Sequence, residues 1–303
     1  MKAVLFHEHG DAGVLRVADV ERPAAGPGEV LVAVAGTSFN PVDATIRAGH
    51  LRQVFPVALP YTPGIDVAGT VAALGDGVTG FDVGDRVVGM LPMTAPGAAA
   101  EYLVVPVALL AAAPTAVPLA DAAALPATGL TAWQAVFEHA DVQPGQRVLV
   151  HGAGGAVGGY AVQLAAGAGA TVVATAGARN ADRLRGYGAE VPGHDATAAT
   201  GPFDAVLNFA PVPPDDMATL AGLLRDGGVL VTTTTPGPDT VRAISMFVRP
   251  DHDQLAALVD RVDAGKLRIH VADRVTLDEL AAVHARSDAG TLTGKTVITV
   301  QAS

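Results

Sequence analysis

The sequence predicts an α/β protein in which an all-β unit is followed by a doubly wound parallel sheet. Over about the first 120 residues, short apolar runs typical of strands alternate with turns rich in glycine and proline. From Pro118 onward, strand-like runs alternate with helix-like segments, which is the pattern of a parallel sheet covered by helices. A length of 303 residues accommodates both parts.

The β unit is predicted from six apolar runs whose spacing indicates a barrel or a sandwich. Proline and glycine at 23–28 separate the second run from the third, and a loop rich in Gly and Asp at 75–85 separates the fourth from the fifth. The predicted strands are 2–6, 14–19, 29–35, 65–74, 86–90 and 101–106.

The second part of the chain is predicted to alternate between helices and parallel strands. The predicted helices are 119–125, 129–139, 157–167, 181–187 and 217–224. The predicted strands are 147–151, 171–175, 205–209, 229–234 and 243–248. A tail follows, with helices at 253–264 and 277–286 and strands at 267–271 and 296–300, and we expect it to return to the β unit.

The composition argues against several classes of protein. Acidic residues (30) outnumber Lys and Arg (19), giving a net charge of -11 with no basic cluster, so no nucleic-acid partner is expected. The absence of cysteine excludes disulfides, thiolate zinc sites and iron–sulfur clusters, and fits a cytoplasmic protein. Neither a membrane span nor a signal peptide is expected, because the apolar stretches are too short or too interrupted.

The sharpest functional signal is RVLVHGAGGAVGGYAVQLA at 147–165, where an apolar strand runs into a glycine-rich turn and then a helix. Glycines here allow a tight turn, a close approach of backbone N–H groups to a diphosphate, and close packing of helix on strand. The helix N-terminus then faces the phosphates. This context predicts a Rossmann-type dinucleotide site, against the alternative of a tight turn in an unrelated α/β protein. The loop residues are Gly152, Gly154, Gly155, Ala156, Val157 and Gly158.

The end of the second parallel strand favours NADP(H) over NAD(H). NAD sites usually carry an Asp or Glu there for the ribose 2′-hydroxyl, whereas this chain reads from Thr175 to Gly177 without a carboxylate. Arg179 follows, and a guanidinium suits a 2′-phosphate. The alternative is that Arg179 is an ordinary solvated arginine and that the cofactor preference is loose.

Several motifs, in order, resemble the medium-chain dehydrogenase/reductase superfamily, most closely its zinc-free quinone oxidoreductase branch with its alkenal and enoyl reductase relatives. They cover nearly the full chain and are specific for the superfamily rather than for a substrate. Besides the glycine loop they are SFNPVDATIRAGH (38–50), LPYTPGIDVAGTVAALGDGVTGFDVGDRVVG (59–89), AEYLVV (100–105), LPATGLTAW (125–133) and GKTVITV (294–300).

The resemblance implies a Rossmann domain inserted into a GroES-like β-barrel domain. The GroES-like catalytic domain would comprise 1–120 and 266–303, and the dinucleotide-binding domain 121–265, with the active site in the cleft. Relatives are often homodimers joined at the edge of the Rossmann sheet, and strand 243–248 would be that edge here.

Departures from the family pattern bear on the catalytic residues. Zinc-dependent relatives use a Cys where this chain has Asn40, so the resemblance implies that the family's zinc sites are absent and no metal is expected. Zinc-free relatives often place a Tyr near the position of His50, and its replacement leaves the proton donor open. A chain of 303 residues is also short for the family, which implies a pocket that is more open.

Three residues are candidates for catalysis. By resemblance Asn40 lies beside the nicotinamide, where it would donate a hydrogen bond to the substrate oxygen as charge builds there; the alternative is a turn-forming Asn. His50 would protonate the enolate, since imidazole exchanges a proton near neutral pH, unless it is an ordinary surface His. Tyr61 is a second candidate donor that would otherwise pack beneath the loop, and water is a third source of the proton. Asp43 would hold this loop or cap a helix.

The resemblance extends the cofactor site to other strand ends and to one helix. Each of these positions is equally explicable as a structural one. The additional candidates are Thr128 and Asn40 near the nicotinamide ribose and ring, Phe209 and Ala210 near the adenosine ribose, Thr233, Thr234, Phe247 and Val248 near the nicotinamide, and Lys295 facing the cleft.

These features predict an oxidoreductase that transfers a hydride from NADPH to a small quinone or to an electron-poor C=C bond of an enone, alkenal or enoyl compound. One alternative is an NADPH-binding redox sensor or structural protein with little turnover. Another is a zinc alcohol dehydrogenase.

Overall fold

The computed structural model describes residues 1–300, and it divides into two compact units. The second unit is formed mainly by one continuous segment, and the first unit uses chain from before and after it. The first unit contains Met1–Ala127, Pro250–Gly265 and the described residues from Ile269 onward, and the second contains Thr128–Arg249 and Lys266–Arg268.

The secondary structure follows the chain from a β-rich first part to alternating strands and helices. The strands are β1 (Lys2–Leu5), β2 (Arg16–Asp19), β3 (Glu29–Ser38), β4 (Asp66–Leu74), β5 (Arg86–Met90), β6 (Tyr102–Pro106), β7 (Leu110–Ala112), β8 (Arg147–His151), β9 (Thr171–Thr175), β10 (Ala189–Glu190), β11 (Phe203–Asn208), β12 (Leu224–Thr232), β13 (Arg242–Ser245), β14 (Asp273–Thr276) and β15 (Thr296–Thr299).

The helices are mostly short. The α-helices are α1 (Pro41–Arg47), α2 (Leu119–Ala122), α3 (Pro126–Trp133), α4 (Ala156–Gly167), α5 (Ala178–Arg185), α6 (Pro214–Ala221), α7 (His252–Asp263) and α8 (Leu280–Asp288). A π-helical segment, Gln134–His139, continues α3, and 3-10 turns lie at Ala12–Val14, Val107–Leu109, Ala196–Ala198 and Leu277–Glu279. Within residues 1–300, none of the helices has the length and apolarity that crossing a membrane requires.

The first unit is organised around β3, a strand of 10 residues. One edge of β3 pairs with β4, and the other is long enough to pair with both β6 and β15. Val30, Val32 and Val34 alternate along β3 and pack with Val67 and Leu103 in one apolar cluster. Because β15 joins this sheet, the C-terminal tail returns to the β unit, as predicted.

The second unit contains a parallel sheet in the order β10-β9-β8-β11-β12-β13. This is the doubly wound order, and the fold class predicted for this part is confirmed. The central strand β8 is buried at four of its five positions, as a strand covered on both faces must be. The order reverses on either side of β8, and ligands of such sheets bind outside the carboxyl ends of the strands at that point.

The prediction of a strand at 267–271 is wrong. The alternating apolar residues there are typical of a strand, but the backbone of Arg268 bonds to a side chain instead of to a neighbouring strand. Its N–H donates to Gln163 Oε1 at 2.7 Å, and its carbonyl oxygen accepts from Gln163 Nε2 at 3.2 Å. The strand of this region is β14, which pairs in parallel with β15.

Helix α7 lies in the first unit, whereas the domain limits predicted from sequence place it in the dinucleotide-binding domain (121–265). Two contacts hold it there. The ring of His252 is 2.7 Å from the carbonyl oxygen of Leu110 in β7. At the other end of α7, Asp263 accepts hydrogen bonds from the backbone of Thr115 and Ala116.

Helix α8 buries a histidine without hydrogen-bond partners. His284 is 0% exposed, and neither ring nitrogen has a partner among the described residues. Phe39 packs edge-on against it, with ring centroids 4.9 Å apart. Burial lowers the pKa of His284 to about 3, and the positive charge of Arg47 acts in the same direction. The ring is therefore neutral in the folded protein.

Replacing His284 with Leu should make the first unit less sensitive to acid. The folded pKa of about 3 lies below the usual histidine pKa of 6.5, so the stability that the neutral ring contributes is present above pH 6.5 and is lost toward pH 3. Between pH 7 and pH 5 the wild type should lose about 2 kcal/mol of unfolding free energy that the variant retains, measured by denaturant unfolding. His7→Gln at an exposed position is the control. Equal pH dependence in the wild type and H284L would contradict the assignment.

Candidate functional site

The turn after β8 forms a backbone cradle with little room for side chains. Gly152 has a φ of 76°, in the left-handed region, and a Cβ there would lie 2.9 Å from the Cβ of Ala210. A Cβ on Gly158 would lie 2.6 Å from both the Cα of Ala153 and the carbonyl oxygen of Gly152. Glycine is therefore required at 152 for the turn and at 158 for the approach of α4 to the loop.

The N-terminus of α4 fits the diphosphate of a dinucleotide. Its N-cap residue, Gly155, is exposed and provides no side-chain cap. The helical ladder begins with the bond from Gly159 N to Gly155 O, so the amides of Ala156, Val157 and Gly158 precede it. These amides and the positive end of the helix dipole attract phosphate, and the cradle leaves the backbone accessible.

The end of β9 is tied to the end of β8 and to the loop. Thr175 is buried, with its Oγ1 2.7 Å from Nδ1 of His151, and its carbonyl oxygen accepts from Ala153 N at 3.1 Å. Burial lowers the pKa of His151, and the nearby His194 contributes in the same direction. Thr175 thus holds the loop through its backbone carbonyl oxygen and the end of β8 through its side chain.

Helix α5 brings two arginines to the loop region in different ways. Gly177 is the N-cap of α5, and Arg179 in its first turn is exposed and makes no ion pair with any described residue. Arg183 turns inward and donates to the carbonyl oxygen of Gly154 and to Oδ1 of Asn180, each at 3.0 Å. Arg179 is therefore available to an anionic ligand, while Arg183 supports the glycine loop.

A loop that sequence reasoning missed lies beside the end of β9. The amide of Ala176 donates to the carbonyl oxygen of Gly193 at 2.9 Å. A Cβ on Gly177 would lie 4.0 Å from the ring of His194, which itself contacts Asp195 at 3.0 Å. No spacing or motif links residues 193–195 to β9, so only the folded structure reveals this neighbour.

The ends of β11 and β12 meet through Asn208, a buried residue that sequence reasoning also missed. Asn208 Nδ2 lies 3.0 Å from Thr234 Oγ1, and Asn208 Oδ1 accepts from Ala210 N at 3.3 Å. The backbone amide of Thr233 donates to the carbonyl oxygen of Asn208 at 3.2 Å. The carboxyl edge of the sheet therefore brings together the half-buried residues Phe209 and Ala210 and the two threonines, Thr233 and Thr234.

The segment after β13 is held by the π-helical segment. Phe247 is 66% exposed and Val248 is half-buried. Immediately after them, both backbone groups of Arg249 bond to the buried side chain of Gln134, N–H to Oε1 at 3.2 Å and carbonyl oxygen to Nε2 at 2.9 Å. Gln134 thereby fixes the backbone that follows Val248. Thr128 is buried in α3, on the same continuous helical run as Gln134.

In the first unit, Asn40 lies in a buried network of charged and polar side chains. Lys295 Nζ donates to Asn40 Oδ1 at 2.7 Å, and Asn40 Nδ2 donates to Asp66 Oδ2 at 2.8 Å. Asp66 Oδ2 also accepts from Ser38 Oγ at 2.5 Å, and Lys295 Nζ is 3.3 Å from the same oxygen. Lys295 donates as well to Phe39 O at 3.2 Å, so its three hydrogens are engaged inside the first unit.

Sequence reasoning selected Asn40 and Lys295 but missed Asp66, which joins them. Asp66 is 0% exposed at the start of β4. The signal was a single carboxylate inside the apolar run at 65–68, because a charge buried in a strand requires a partner. Burial also lowers the pKa of Lys295, and the charges of Asp66 and Asp43 oppose this.

Asp43 and Tyr61 lie next to this network and are both committed to backbone groups. Asp43 accepts from Asn40 N at 2.8 Å and from Gly64 N at 3.1 Å. Burial raises the pKa of Asp43 to about 7, against the effect of these two donors. Tyr61 is buried, its hydroxyl donates to the carbonyl oxygen of Met93 at 3.0 Å, and burial together with the charge of Asp43 raises its pKa.

His50 stands apart from the Asn40 network. It is exposed in the turn that follows α1, and its backbone amide donates to the carbonyl oxygen of Thr45 at 3.1 Å. No hydrogen bond joins its ring to Asn40, Lys295 or Asp66 in the described part of the chain.

The residues around Asn40 do not fit a zinc ion. The chain has no cysteine, and across residues 1–300 no three His, Asp or Glu side chains converge as metal ligands do. The ammonium of Lys295 is already bonded to Asn40 Oδ1, so a second cation at this oxygen would be repelled.

Comparison with known families identifies two matching regions. Residues 26–115 match the alcohol dehydrogenase GroES-like domain, and residues 187–298 match the zinc-binding dehydrogenase domain. The predicted fold class, a GroES-like β domain with a Rossmann-type α/β sheet, is thereby confirmed.

Three proteins illustrate the similarity over the whole chain. A chloroplastic quinone oxidoreductase of Triphysaria versicolor is 32% identical over 98% of both chains. The quinone oxidoreductase of Coxiella burnetii is 30% identical over 99% of both chains, with a TM-score of 0.89. A mycobacterial protein solved in complex with NADPH is 28% identical over 99% of this chain and 100% of its own, with a TM-score of 0.85. The chain therefore belongs to the medium-chain dehydrogenase/reductase superfamily, among its quinone oxidoreductases.

Proposed function

We propose that this oxidoreductase uses NADPH to reduce a small quinone, or the C=C bond of an enone, alkenal or enoyl compound, without a metal ion. The observation that carries the proposal is the uncapped N-terminus of α4 above the glycine cradle, which suits a dinucleotide diphosphate. The quinone oxidoreductase relatives support a small-molecule substrate of this class.

When bound, the nicotinamide supplies the hydride, and the protein supplies binding and orientation. In our proposal the amides of Ala156, Val157 and Gly158 hold the diphosphate. The strand ends that Asn208 joins line the nucleotide, and Gln134 keeps the backbone after Val248 in place. These contributions are polar and backbone-based, so they bind the nucleotide without taking part in the chemistry.

Asn40 is the proposed donor to the substrate oxygen. One hydrogen of its Nδ2 bonds to Asp66 at 2.8 Å, and the other has only a long contact of 3.3 Å with Ser38 O. A substrate oxygen gaining negative charge is a stronger acceptor than this carbonyl, so it would take over the second hydrogen. His50 remains a proposed proton donor beside water, because its ring is exposed and has no hydrogen-bond partner within residues 1–300. Tyr61 is less suited, since its hydroxyl proton is used by Met93.

We also propose a homodimer joined at the edge of the parallel sheet. Strand β13 ends the strand order, so one of its sides carries backbone groups that the described sheet does not pair. Phe247, which follows β13, is 66% exposed, as expected for a side chain at an interface.

Turnover with a panel of acceptors tests the proposed reaction. Purified protein should oxidise NADPH, followed by loss of its absorbance, when quinones, 2-alkenals or enones are added, and a strong chelator should leave the rate unchanged. Tight NADPH binding without turnover on any acceptor would instead identify a sensor or structural role. Loss of activity on chelation, with stoichiometric zinc in the purified protein, would identify a zinc alcohol dehydrogenase.

Two glycine-to-alanine substitutions in the same helix test the nucleotide cradle. Gly158→Ala should raise the Kd for NADPH at least about tenfold, because its Cβ would lie 2.6 Å from backbone atoms that cannot move aside cheaply. Gly167→Ala, at the other end of α4, has nothing within 4 Å and should bind normally. Calorimetry gives Kd, and circular dichroism verifies folding. Wild-type affinity in a folded G158A protein would refute the cradle.

The preference for NADPH is tested at Arg179. Arg179→Ala should weaken NADPH binding about tenfold by removing a charged partner of the 2′-phosphate, and should leave NADH binding within about twofold. Arg185→Ala on the same helix is the control, since Arg185 is exposed and paired with Asp182. If R179A weakens both nucleotides equally, Arg179 does not read the 2′-phosphate.

A further inference from the structure

Asp66 is a buried carboxylate that accepts hydrogen bonds from four donors. Its Oδ2 accepts from Ser38 Oγ, Asn40 Nδ2 and Lys295 Nζ, and its Oδ1 accepts from Ala127 N at 2.7 Å. The side chains of Asp66 and Lys295 are 0% and 3% exposed. A buried ion pair of this kind adds little net stability, because the loss of hydration offsets the attraction between the charges. Its presence therefore calls for a role other than stability.

The charges on either side of Asn40 determine how its side chain is oriented. Lys295 can only donate hydrogen bonds, and an ionised Asp66 can only accept them. Asn40 meets Lys295 with its carbonyl oxygen at 2.7 Å and Asp66 with its amide nitrogen at 2.8 Å. Rotating the amide by half a turn would place an NH2 group against the ammonium and a carbonyl oxygen against the carboxylate. Only one of the two orientations is therefore compatible with this pair.

The main chain of Asn40 is held independently of its side chain. Its backbone amide donates to Asp43 Oδ2 at 2.8 Å at the start of α1. The backbone position and the amide orientation of Asn40 are thus set by two separate carboxylates. Losing the Asp66–Lys295 pair should consequently free the amide without moving the residue.

We propose that Asp66 and Lys295 are positioning residues that hold the Asn40 amide in the single orientation in which its second N–H can serve a substrate carbonyl oxygen. This rests on the proposed function, in which that oxygen belongs to a quinone or an enone. Lys295 accordingly acts through Asn40, rather than by contacting the cofactor as the family resemblance implies.

The test removes both charges together, because removing one would leave the other buried and unpaired. In Asp66→Asn/Lys295→Met, both neighbours of Asn40 tolerate either amide orientation. We expect unfolding midpoint and NADPH affinity close to wild type, and kcat/KM for the quinone lower by at least about tenfold. Asn40→Ala should lower kcat/KM less in this double variant than it does in the wild type, because the pair acts through Asn40.

A matched control removes another ion pair of the same unit. Asp121 and Arg274 form a two-point pair with distances of 2.6 and 2.8 Å, and Asp121→Asn/Arg274→Met should leave kcat/KM within about twofold. The orientation itself is read without substrate from the side-chain NH2 signals of Asn40, assigned by their loss in Asn40→Ala. Their hydrogen exchange should be slow in the wild type and fast in D66N/K295M.

The outcomes separate this proposal from the proposed function. Unchanged exchange in D66N/K295M, unchanged kcat/KM in that variant, or a further additive loss with Asn40→Ala would each overturn the positioning role. Slow exchange in the wild type with no turnover on any quinone or enone would overturn the proposed function and the catalytic purpose of the pair, while leaving the orientation of Asn40 established.

Discussion

The second unit depends on one constraint, the close approach of α4 to the turn that leaves β8. A Cβ at position 158 would lie 2.6 Å from backbone atoms, so this position requires glycine. The first amides of α4, which precede its hydrogen-bond ladder, follow this turn directly and are available to an anion. Thr175 and Arg183 then support the loop from β9 and α5. Packing and ligand recognition are therefore set by the same atoms.

The first unit buries two opposite charges, those of Asp66 and Lys295, beside the neutral side-chain amide of Asn40. Asp66 and Lys295 are satisfied almost entirely by one another and by Asn40, Ser38 and nearby backbone. Such a network has no freedom to rearrange without leaving a charge unpaired. It therefore forms a rigid polar cluster in a part of the chain where the packing is otherwise apolar.

The fold was largely predictable because its signals are local. Gly152 and Gly158 sit in a strand–turn–helix context, and the apolar strands β8, β9 and β11 are visible directly in the sequence. The strand at 267–271 was mispredicted because its alternating pattern says nothing about Gln163, which takes both backbone groups of Arg268. Local patterns thus predict helices and strands well. They predict poorly where a side chain takes the backbone hydrogen bonds that a neighbouring strand would otherwise make.

The candidate site was predictable only in part, because contacts between side chains far apart in the chain leave no local pattern in the sequence. Asn40 and Lys295 lie in recognisable motifs, but their hydrogen bond spans 255 positions of the chain. Asn208 and Gln134 act by binding other residues, and no spacing marks such a role. Asp66 was marked only as a single carboxylate in an apolar run. The burial of Tyr61 against Met93, likewise, follows from packing that no pattern of neighbouring residues describes.

The clamp of Gln134 on Arg249 has a consequence for how this family can diversify. The chain from the end of β12 to Arg249 is secured at both ends, by the sheet and by the amide of Gln134. Within this stretch, the loop at 236–241 can change in length while β13 stays paired with β12 and Arg249 stays bonded to Gln134.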